Sequence, residues 1–260
     1  MSSERLSGLE QGLLNTVPLH VVRWYEEVGS TMSVGRELVP TLGLGEHGLA
    51  VASNQLAGRG RRGRVWVSET GALMATYVHR IALTVEACGG LSLAVGVALH
   101  RYLTGLGVSV RLKWPNDIIT PERLKLAGVL IEILPHGATE LCILVGIGMN
   151  LNAPPRAIPE ATSLADLGVP GVTPYNVLVD LTLHWLGVLE QFVSRGFAAV
   201  REEWIEGAAI VGQRVSVLQE GQKLEGEVDT IGNDGSLYIK QSSGLVVRCY
   251  SGEMLLAVND

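Results

Sequence analysis

Apolar and polar positions along this chain repeat sometimes every second residue and sometimes at helical spacing, and the switches between the two mark its elements. Leu19–Tyr25 and Gly48–Ser53 read as short strands, with a helix expected to start after Gly29-Ser30-Thr31. Val65–Val67 and Leu73–Ile81 predict further strands on either side of a turn at Glu69–Gly71. Leu91–Leu106 is apolar on most faces and stops at Gly107, the pattern of a core helix. Val108–Trp114, Ala127–Ile133 and Leu141–Ile147 are consecutive β-rich runs, broken by Pro115-Asn116-Asp117 and Pro135-His136-Gly137. No helix separates these runs, so the spacing predicts an antiparallel or mixed sheet, not a doubly wound parallel one.

Ala153–Pro174, rich in proline and alanine, reads as a connecting stretch. A long helix is expected from the cap Thr173 and from Pro174. Its stripe is Leu178, Leu181, Trp185, Leu189 and Phe192, and Gly196 stops it. A second helix is expected around Phe197–Ile205. After Gly207–Gly212 the texture changes to short strands at Arg214–Gln219, Leu224–Ile231, Ser236–Gln241 and Leu245–Tyr250. Their turns are Glu220-Gly221, Asn233-Asp234-Gly235 and Ser242-Ser243-Gly244. Hairpins without helices predict a small β-barrel, so residues 1–208 are expected to form an α+β domain and residues 209–260 a second, all-β one.

Composition changes this picture little. A chain of 260 residues, 47% hydrophobic and 18% charged, fits a soluble globular protein with a real core. The longest apolar region, Ile81–Leu99, contains Glu86 and Gly89-Gly90, so it reads as a strand end, a loop and a buried helix and not as a membrane span. Met1–Gln11 carries Glu4, Arg5 and Glu10 without an apolar block, so no secretory signal is expected. Three widely spaced cysteines (Cys88, Cys142, Cys249) offer neither a disulfide framework nor a CxxC site. A cytoplasmic setting is expected. Charge is more telling. The net charge of −6 opposes nucleic acid, yet four of the arginines fall within Arg59–Arg64. Such a concentration suits a small polyanion better than a duplex.

That run, Gln55-Leu-Ala-Gly-Arg59-Gly60-Arg61-Arg62-Gly-Arg64-Val-Trp66, alternates glycines with guanidinium forks that bind phosphate or carboxylate oxygens in pairs. A solvated basic turn or a weak nucleic-acid patch fits the spacing equally well. It lacks the Lys-Ser/Thr of a P-loop. Lys113-Trp114-Pro115-Asn116-Asp117 displays an ammonium, an amide and a carboxylate at a strand end, though a plain turn gives the same letters. Lys125, one of only four lysines, precedes a strand opened by the small residues Ala127 and Gly128. Gly146-Ile-Gly148-Met-Asn150 offers a flat apolar surface beside an amide, without the third glycine of a dinucleotide fingerprint. Gly29-Ser30-Thr31-Met32 is either a helix cap or a set of hydroxyls for a polar ligand head.

Taken in order, Gly-Ser-Thr, Gln-x-x-Gly-Arg-Gly-Arg-Arg-Gly-Arg, Lys-Trp-Pro-Asn-Asp, Lys-Leu-Ala-Gly-Val-Leu-Ile-Glu and Gly-Ile-Gly-Met-Asn resemble the motifs of biotin–protein ligases. The resemblance runs from about His20 to Asn152, and more loosely beyond. It implies a class II aminoacyl-tRNA-synthetase-like core, shared with lipoate ligases, and a small SH3-like barrel at the carboxyl end. It implies biotin binding by Ser30, Thr31, Met32, Gln55, Arg59, Gly60, Arg61, Lys125, Gly128 and Gly146. ATP would lie near Arg61, Arg62, Arg64, Trp66, Lys113, Asn116, Asp117 and Asn150, with Lys125, Arg61 and Asp117 as the catalytic set and Mg²⁺ through unassigned ligands. Met32 stands where Asn is common in the family, and Leu56 where a second Gln is common. The implied reaction joins biotin to the α-phosphate of ATP, then passes it to a lysine of a biotin carrier domain. Lipoate or octanoate transfer on a related fold is the alternative, and a nucleic-acid-binding module a third. About twenty residues precede the first strand, too few for the winged helix-turn-helix of bifunctional members, so no sequence-specific DNA binding is expected. No membrane association is expected either, and a homodimer is left open.

Overall fold

The computed structural model describes residues 3–137, 139–219 and 221–256; Glu220 of the expected Glu220-Gly221 turn lies outside them. The larger sheet contains β1 (Val21–Val28), β2 (His47–Gln55), β3 (Leu73–Ile81), β4 (Arg111–Lys113), β5 (Asp117–Ile119), β6 (Lys125–His136) and β7 (Glu140–Met149). Their spatial order is β1-β2-β3-β7-β6-β5-β4. β1 and β2 run parallel while the other pairs are antiparallel, so the sheet is mixed, as the strand spacing predicts.

Side chains alternate between the two faces of a strand, and here each face has its own cover. Leu49, Val51, Tyr77, Ile143 and Val145 join the core beneath α3 (Leu91–Gly105) and α4 (Pro174–Arg195). Ala50, Val78 and Leu144, one residue out of phase, pack with Met32, Val34 and Leu38 of α2 (Thr31–Leu38). Among the described residues α4 alone is long and apolar enough to cross a membrane. Its stripe Leu178, Leu181, Trp185, Leu189 and Phe192 is instead buried in the core, each side chain contributing roughly 1.5–3 kcal/mol.

Several expectations are corrected. A helix not foreseen, α1 (Ser3–Thr16), packs along β1 through Leu13, and its Glu10 carboxylate accepts the Trp24 N–H at 2.6 Å. A carboxylate thus caps a donor of the edge strand that would otherwise invite pairing. Val65–Val67 is not a strand; only Val65 pairs, in an isolated bridge with Arg59 that closes the arginine loop on itself. The expected strand Val108–Trp114 shrinks to β4, because Asn116 N–H turns back to the Lys113 carbonyl and starts a tight hairpin. Asp117, expected in a turn, therefore opens β5 opposite Lys113. The helix expected at Phe197–Ile205 is a 3-10 turn followed by α5 (Arg201–Ala208).

The second sheet contains β8 (Arg214–Gln219), β9 (Gln222–Ile231), β10 (Leu237–Lys240), β11 (Val246–Cys249) and the unforeseen β12 (Glu253–Leu256), all antiparallel in the order β11-β10-β9-β8-β12. It is fastened to the larger unit by the Trp114 indole N–H, which donates to the Gly235 carbonyl at 3.0 Å, and by Arg201, whose Nε donates to the Ile231 carbonyl at 2.6 Å.

One buried polar group in this core predicts a pH dependence of stability. His79 of β3 is fully buried, and its Nε2 accepts the Trp185 indole N–H at 2.8 Å. An indole N–H only donates, so the imidazole proton sits on Nδ1, facing Nδ1 of His47 at 3.0 Å. Burial holds His79 well below the usual histidine range, with the neighbouring His47 adding to the effect; burial and then His20 lower His47. In the unfolded chain both rings take protons near pH 6.5. The folded state does not, so its stability is complete above that value and falls as the pH drops through it. Urea midpoints should accordingly be lower at pH 5.5 than at pH 7.5, with a smaller difference in His79→Gln. Identical midpoints for the wild type at the two pH values would contradict this.

Candidate active site

Three glycines open the site. Gly146 and Gly148 of β7 and Gly128 of β6 lie on the α2 face, with Gly128 opposite Gly148, Leu130 opposite Gly146, and Thr76 of β3 on the other side of Gly146. α2 covers this face over Val78 and Leu144 and begins at Thr31, with Ser30 as its cap. Beyond that point no side chain rises from the glycines, and a cavity of about 270 Å³ results.

The arginine loop forms one wall and has a defined path. Gly60 N–H donates to the Arg64 carbonyl at 2.7 Å and Trp66 N–H to the Gly58 carbonyl at 3.0 Å, while Arg62 sits at φ 57°. This hairpin swings Trp66 back across the floor: a Cβ on Gly148 would run into its indole, and one on Gly128 would lie 3.3 Å from it. Only glycine permits that approach. The guanidiniums are spread over separate acceptors. Arg59 donates to Ser33 Oγ (3.2 Å), Arg61 to Asn116 Oδ1 (3.2 Å) and to the Gly252 carbonyl (3.3 Å), and Arg64 meets Glu253 at 2.9 Å. Burial, then the charge of Arg62, depresses the Arg61 pKa, with Asp117 and Glu253 opposing. An anion beside Arg61 would relieve that penalty.

Across the cavity, Lys125 Nζ lies 2.7 Å from Asp117 Oδ1 and 5.6 Å from the centre of the Trp66 ring. At the α2 end, Gln55 Oε1 accepts both the Thr31 N–H (2.7 Å) and the Thr31 hydroxyl (3.1 Å). Asn150 donates its Nδ2 to the Thr162 carbonyl at 3.0 Å, which leaves its buried Oδ1 without a partner, as is the buried Trp66 indole N–H. Two unmatched polar atoms in a cavity lining are what a ligand with one donor and one acceptor would satisfy.

The fold brings together nearly all the residues singled out from sequence: Ser30, Thr31, Met32, Gln55, Arg59, Gly60, Arg61, Arg64, Trp66, Asn116, Asp117, Lys125, Gly128, Gly146 and Asn150 all line the cavity. Two stand apart. Arg62 turns toward the second sheet, where it donates to the Leu218 carbonyl, and Lys113 borders a small cleft with Arg111 and Pro121. Met32 does not extend a polar group; its thioether covers Gly146, where a Cβ would be 2.8 Å from the sulfur. The stretch read as a mere connection supplies Pro155, Ile158 and Ala161 to the lining, held there because Lys125 N–H donates to the Glu160 carbonyl at 2.6 Å. Its only sequence signal is apolar residues in an irregular segment. Among the described residues no group of three His, Cys, Asp or Glu is placed to hold a metal.

Known proteins resemble this chain in sequence and in fold. The profile of the biotin/lipoate A/B protein ligase family matches residues 24–150, and that of the biotin protein ligase C terminal domain matches residues 210–256. The biotin–[acetyl-CoA-carboxylase] ligase of Paracoccus denitrificans is 30% identical over 227 residues, covering 83% of this chain and 92% of that protein. The bifunctional ligase/repressor BirA of Escherichia coli is 31% identical, with 79% of this chain matched to 65% of that protein. Among solved structures, a biotin protein ligase from Aquifex aeolicus in complex with biotin and ATP superimposes with a TM-score of 0.75 at 26% identity, covering 93% of this chain and 100% of that one.

Proposed function

The chain belongs to the biotin/lipoate A/B protein ligase family and is a biotin protein ligase within it, and we propose that biotin lies at the α2 end of this cavity and ATP toward Asn116 and Asn150. The observation that carries the assignment is the sequence of chemistries along the cavity. Hydrogen-bonding groups of Ser30, Thr31 and Gln55 stand at one end, apolar glycine floor follows, and the cations Arg61 and Lys125 stand at the other. Biotin has the same order: a cyclic urea, an apolar middle and a carboxylate. A lipoyl or octanoyl group has nothing to offer the polar end, so the lipoate reading is not favoured.

The reaction then needs little beyond placement. The carboxylate of biotin attacks the α-phosphate of ATP, forming biotinyl-5′-adenylate and releasing pyrophosphate. An acceptor lysine next attacks the mixed anhydride, giving the amide and AMP. Lys125 and Arg61 stabilise the charge as two anions approach, and Asp117 holds Lys125 in position through their ion pair and orients the incoming amine. Asn150 Oδ1 suits a donor such as the exocyclic amine of adenine. Mg²⁺ is proposed to arrive on the phosphates of ATP, since a small octahedral cation keeps its waters and needs only one or two carboxylates. The acceptor is proposed to be a folded biotin carrier domain. α1 lies against the sheet edge with Glu10 committed to Trp24, which supports the reading that it is not a DNA-recognition element.

Incubation with biotin, ATP and Mg²⁺ and no acceptor should leave biotinyl-adenylate bound to the protein, and addition of a carrier domain should consume it. Mass spectrometry of the extracted ligand is the check. Efficient transfer of lipoate and none of biotin would overturn the proposal.

A further inference from the structure

We infer that Asn116 is a positioning residue that acts on the adenylate through Arg61, holding one nitrogen of the guanidinium and leaving the other side of the fork for the phosphate. Arg61 bonds the protein through Nη1, which donates to Asn116 Oδ1 at 3.2 Å and to the Gly252 carbonyl at 3.3 Å. Nε and Nη2 have no partner among the described residues. Those two nitrogens form the side of a guanidinium that meets two oxygens of one phosphate in parallel.

The direction of the Asn116 amide is fixed from both ends. The Val129 carbonyl can only accept, so Asn116 Nδ2 faces it at 2.9 Å, and a guanidinium can only donate, so Oδ1 is the atom turned to Arg61. The backbone repeats this clasp. Val129 N–H donates to the Asn116 carbonyl at 2.9 Å, and Asn116 N–H donates to the Lys113 carbonyl at 3.1 Å. The side-chain oxygen is thus engaged by the protein's own cation while the rest of the residue is tied to β4 and β6, which supports a bracing role over a direct contact with ATP.

The neutrality of that acceptor matters. Burial and then the charge of Arg62 lower the Arg61 pKa, and two carboxylates stand close enough to raise it, Asp117 and Glu253, yet Arg61 bonds neither. Asp117 is held by Lys125 at 2.7 Å and Glu253 by Arg64 at 2.9 Å. An Arg61 released from Asn116 would be drawn to a carboxylate, and an ion pair with Asp117 would both turn the fork from the phosphate and compete with Lys125. A neutral amide oxygen holds the side chain in place without cancelling its charge. The inference rests on the biotin ligase reading of the cavity and adds to it a residue that supports the phosphate site.

The test is a double-mutant cycle on the binding of biotinyl-adenylate to the full chain, followed by calorimetry. Asn116→Ala should weaken retention of the adenylate about tenfold, roughly the worth of a hydrogen bond to a charged group, and should weaken free biotin much less. In the Arg61→Ala background the same change should weaken retention no further, because the group that Asn116 holds is gone. Losses that multiply in the double variant would overturn the inference, since Asn116 would then meet the ligand itself or support the hairpin as a whole. Wild-type retention in Asn116→Ala would overturn it as well. Thermal melting shows whether the alanine variant is folded; Asn116→Ser, whose hydroxyl is too short to reach Arg61 in the same way, takes its place in the cycle if it is not. A wild-type protein that retains no biotinyl-adenylate would overturn the ligase reading itself, whereas multiplying losses in a wild type that retains it would leave that reading standing and remove only the role of Asn116.

Discussion

Lys125→Ala is expected to slow adenylate formation by about 10²–10³-fold while leaving the fold intact. The strand start that carries Lys125 is held from both sides, by its N–H to the Glu160 carbonyl at 2.6 Å and by Thr162 N–H to its own carbonyl at 2.9 Å. The backbone therefore does not depend on the side chain. In the proposed binding mode, by contrast, the ammonium stands where two anions meet. Two like charges about 4 Å apart repel by roughly 4 kcal/mol at an effective dielectric of 20, and a fixed cation between them offsets much of that as charge develops. Its ion pair with Asp117 is 36% exposed on the lysine side and 20% on the aspartate side, so its loss should cost little stability. Lys125→Arg should rescue poorly, because a planar fork is bulkier than an ammonium and presents its charge differently. Pyrophosphate release and thermal melting, measured together, decide the matter. Near-normal release from either variant would reduce Lys125 to a surface charge.

The second large effect is expected at Arg61. Arg61→Ala should weaken retention of biotinyl-adenylate by about 10–100-fold, the equivalent of roughly 1.5–3 kcal/mol, and weaken free biotin much less. The guanidinium is partly buried and, among the described residues, donates to neutral acceptors, Asn116 Oδ1 at 3.2 Å and the Gly252 carbonyl at 3.3 Å. Its depressed pKa, caused first by burial, marks a cation that gains most from an anion placed beside it. In the proposed binding mode the phosphate of the adenylate supplies that anion, whereas free biotin brings only its more distant carboxylate. Calorimetry with both ligands distinguishes the cases, and equal losses for the two would remove Arg61 from the phosphate site.

Much of this site is written locally. The glycines at 128, 146 and 148, the Gly–Arg run, the Ser-Thr cap and the Lys-Trp-Pro-Asn-Asp turn are legible because each states its own backbone or charge requirement in a few adjacent letters. The core helices are legible for the same reason: the stripe from Leu178 to Phe192 repeats at helical spacing whatever it packs against. Other features depend on residues distant in the chain. Lys113 and Lys125 are equally plausible cations as letters, yet only Lys125 enters the cavity. Which of the two does so was settled by the β4–β5 hairpin and by the segment at Glu160 that clasps β6. β12 exists because β8 provides an edge for it, and through it Glu253 comes to meet Arg64. Thr76 sits in an apolar strand and carries no signal of its own; its hydrogen bond to Thr31 arises only when β3 lies beside Gly146 and under α2. The sequence by itself determined which chemical groups the protein possesses and most of the segments that are strands, helices or tight turns, since those follow from neighbours a few residues apart; α1, β12 and the fate of Val65–Val67 did not follow from them. The tertiary structure alone decided which groups share the cavity and which way their hydrogens point, because backbone pairing between distant strands places side chains on one face or the other, and a hydroxyl's direction depends on partners that only that pairing supplies.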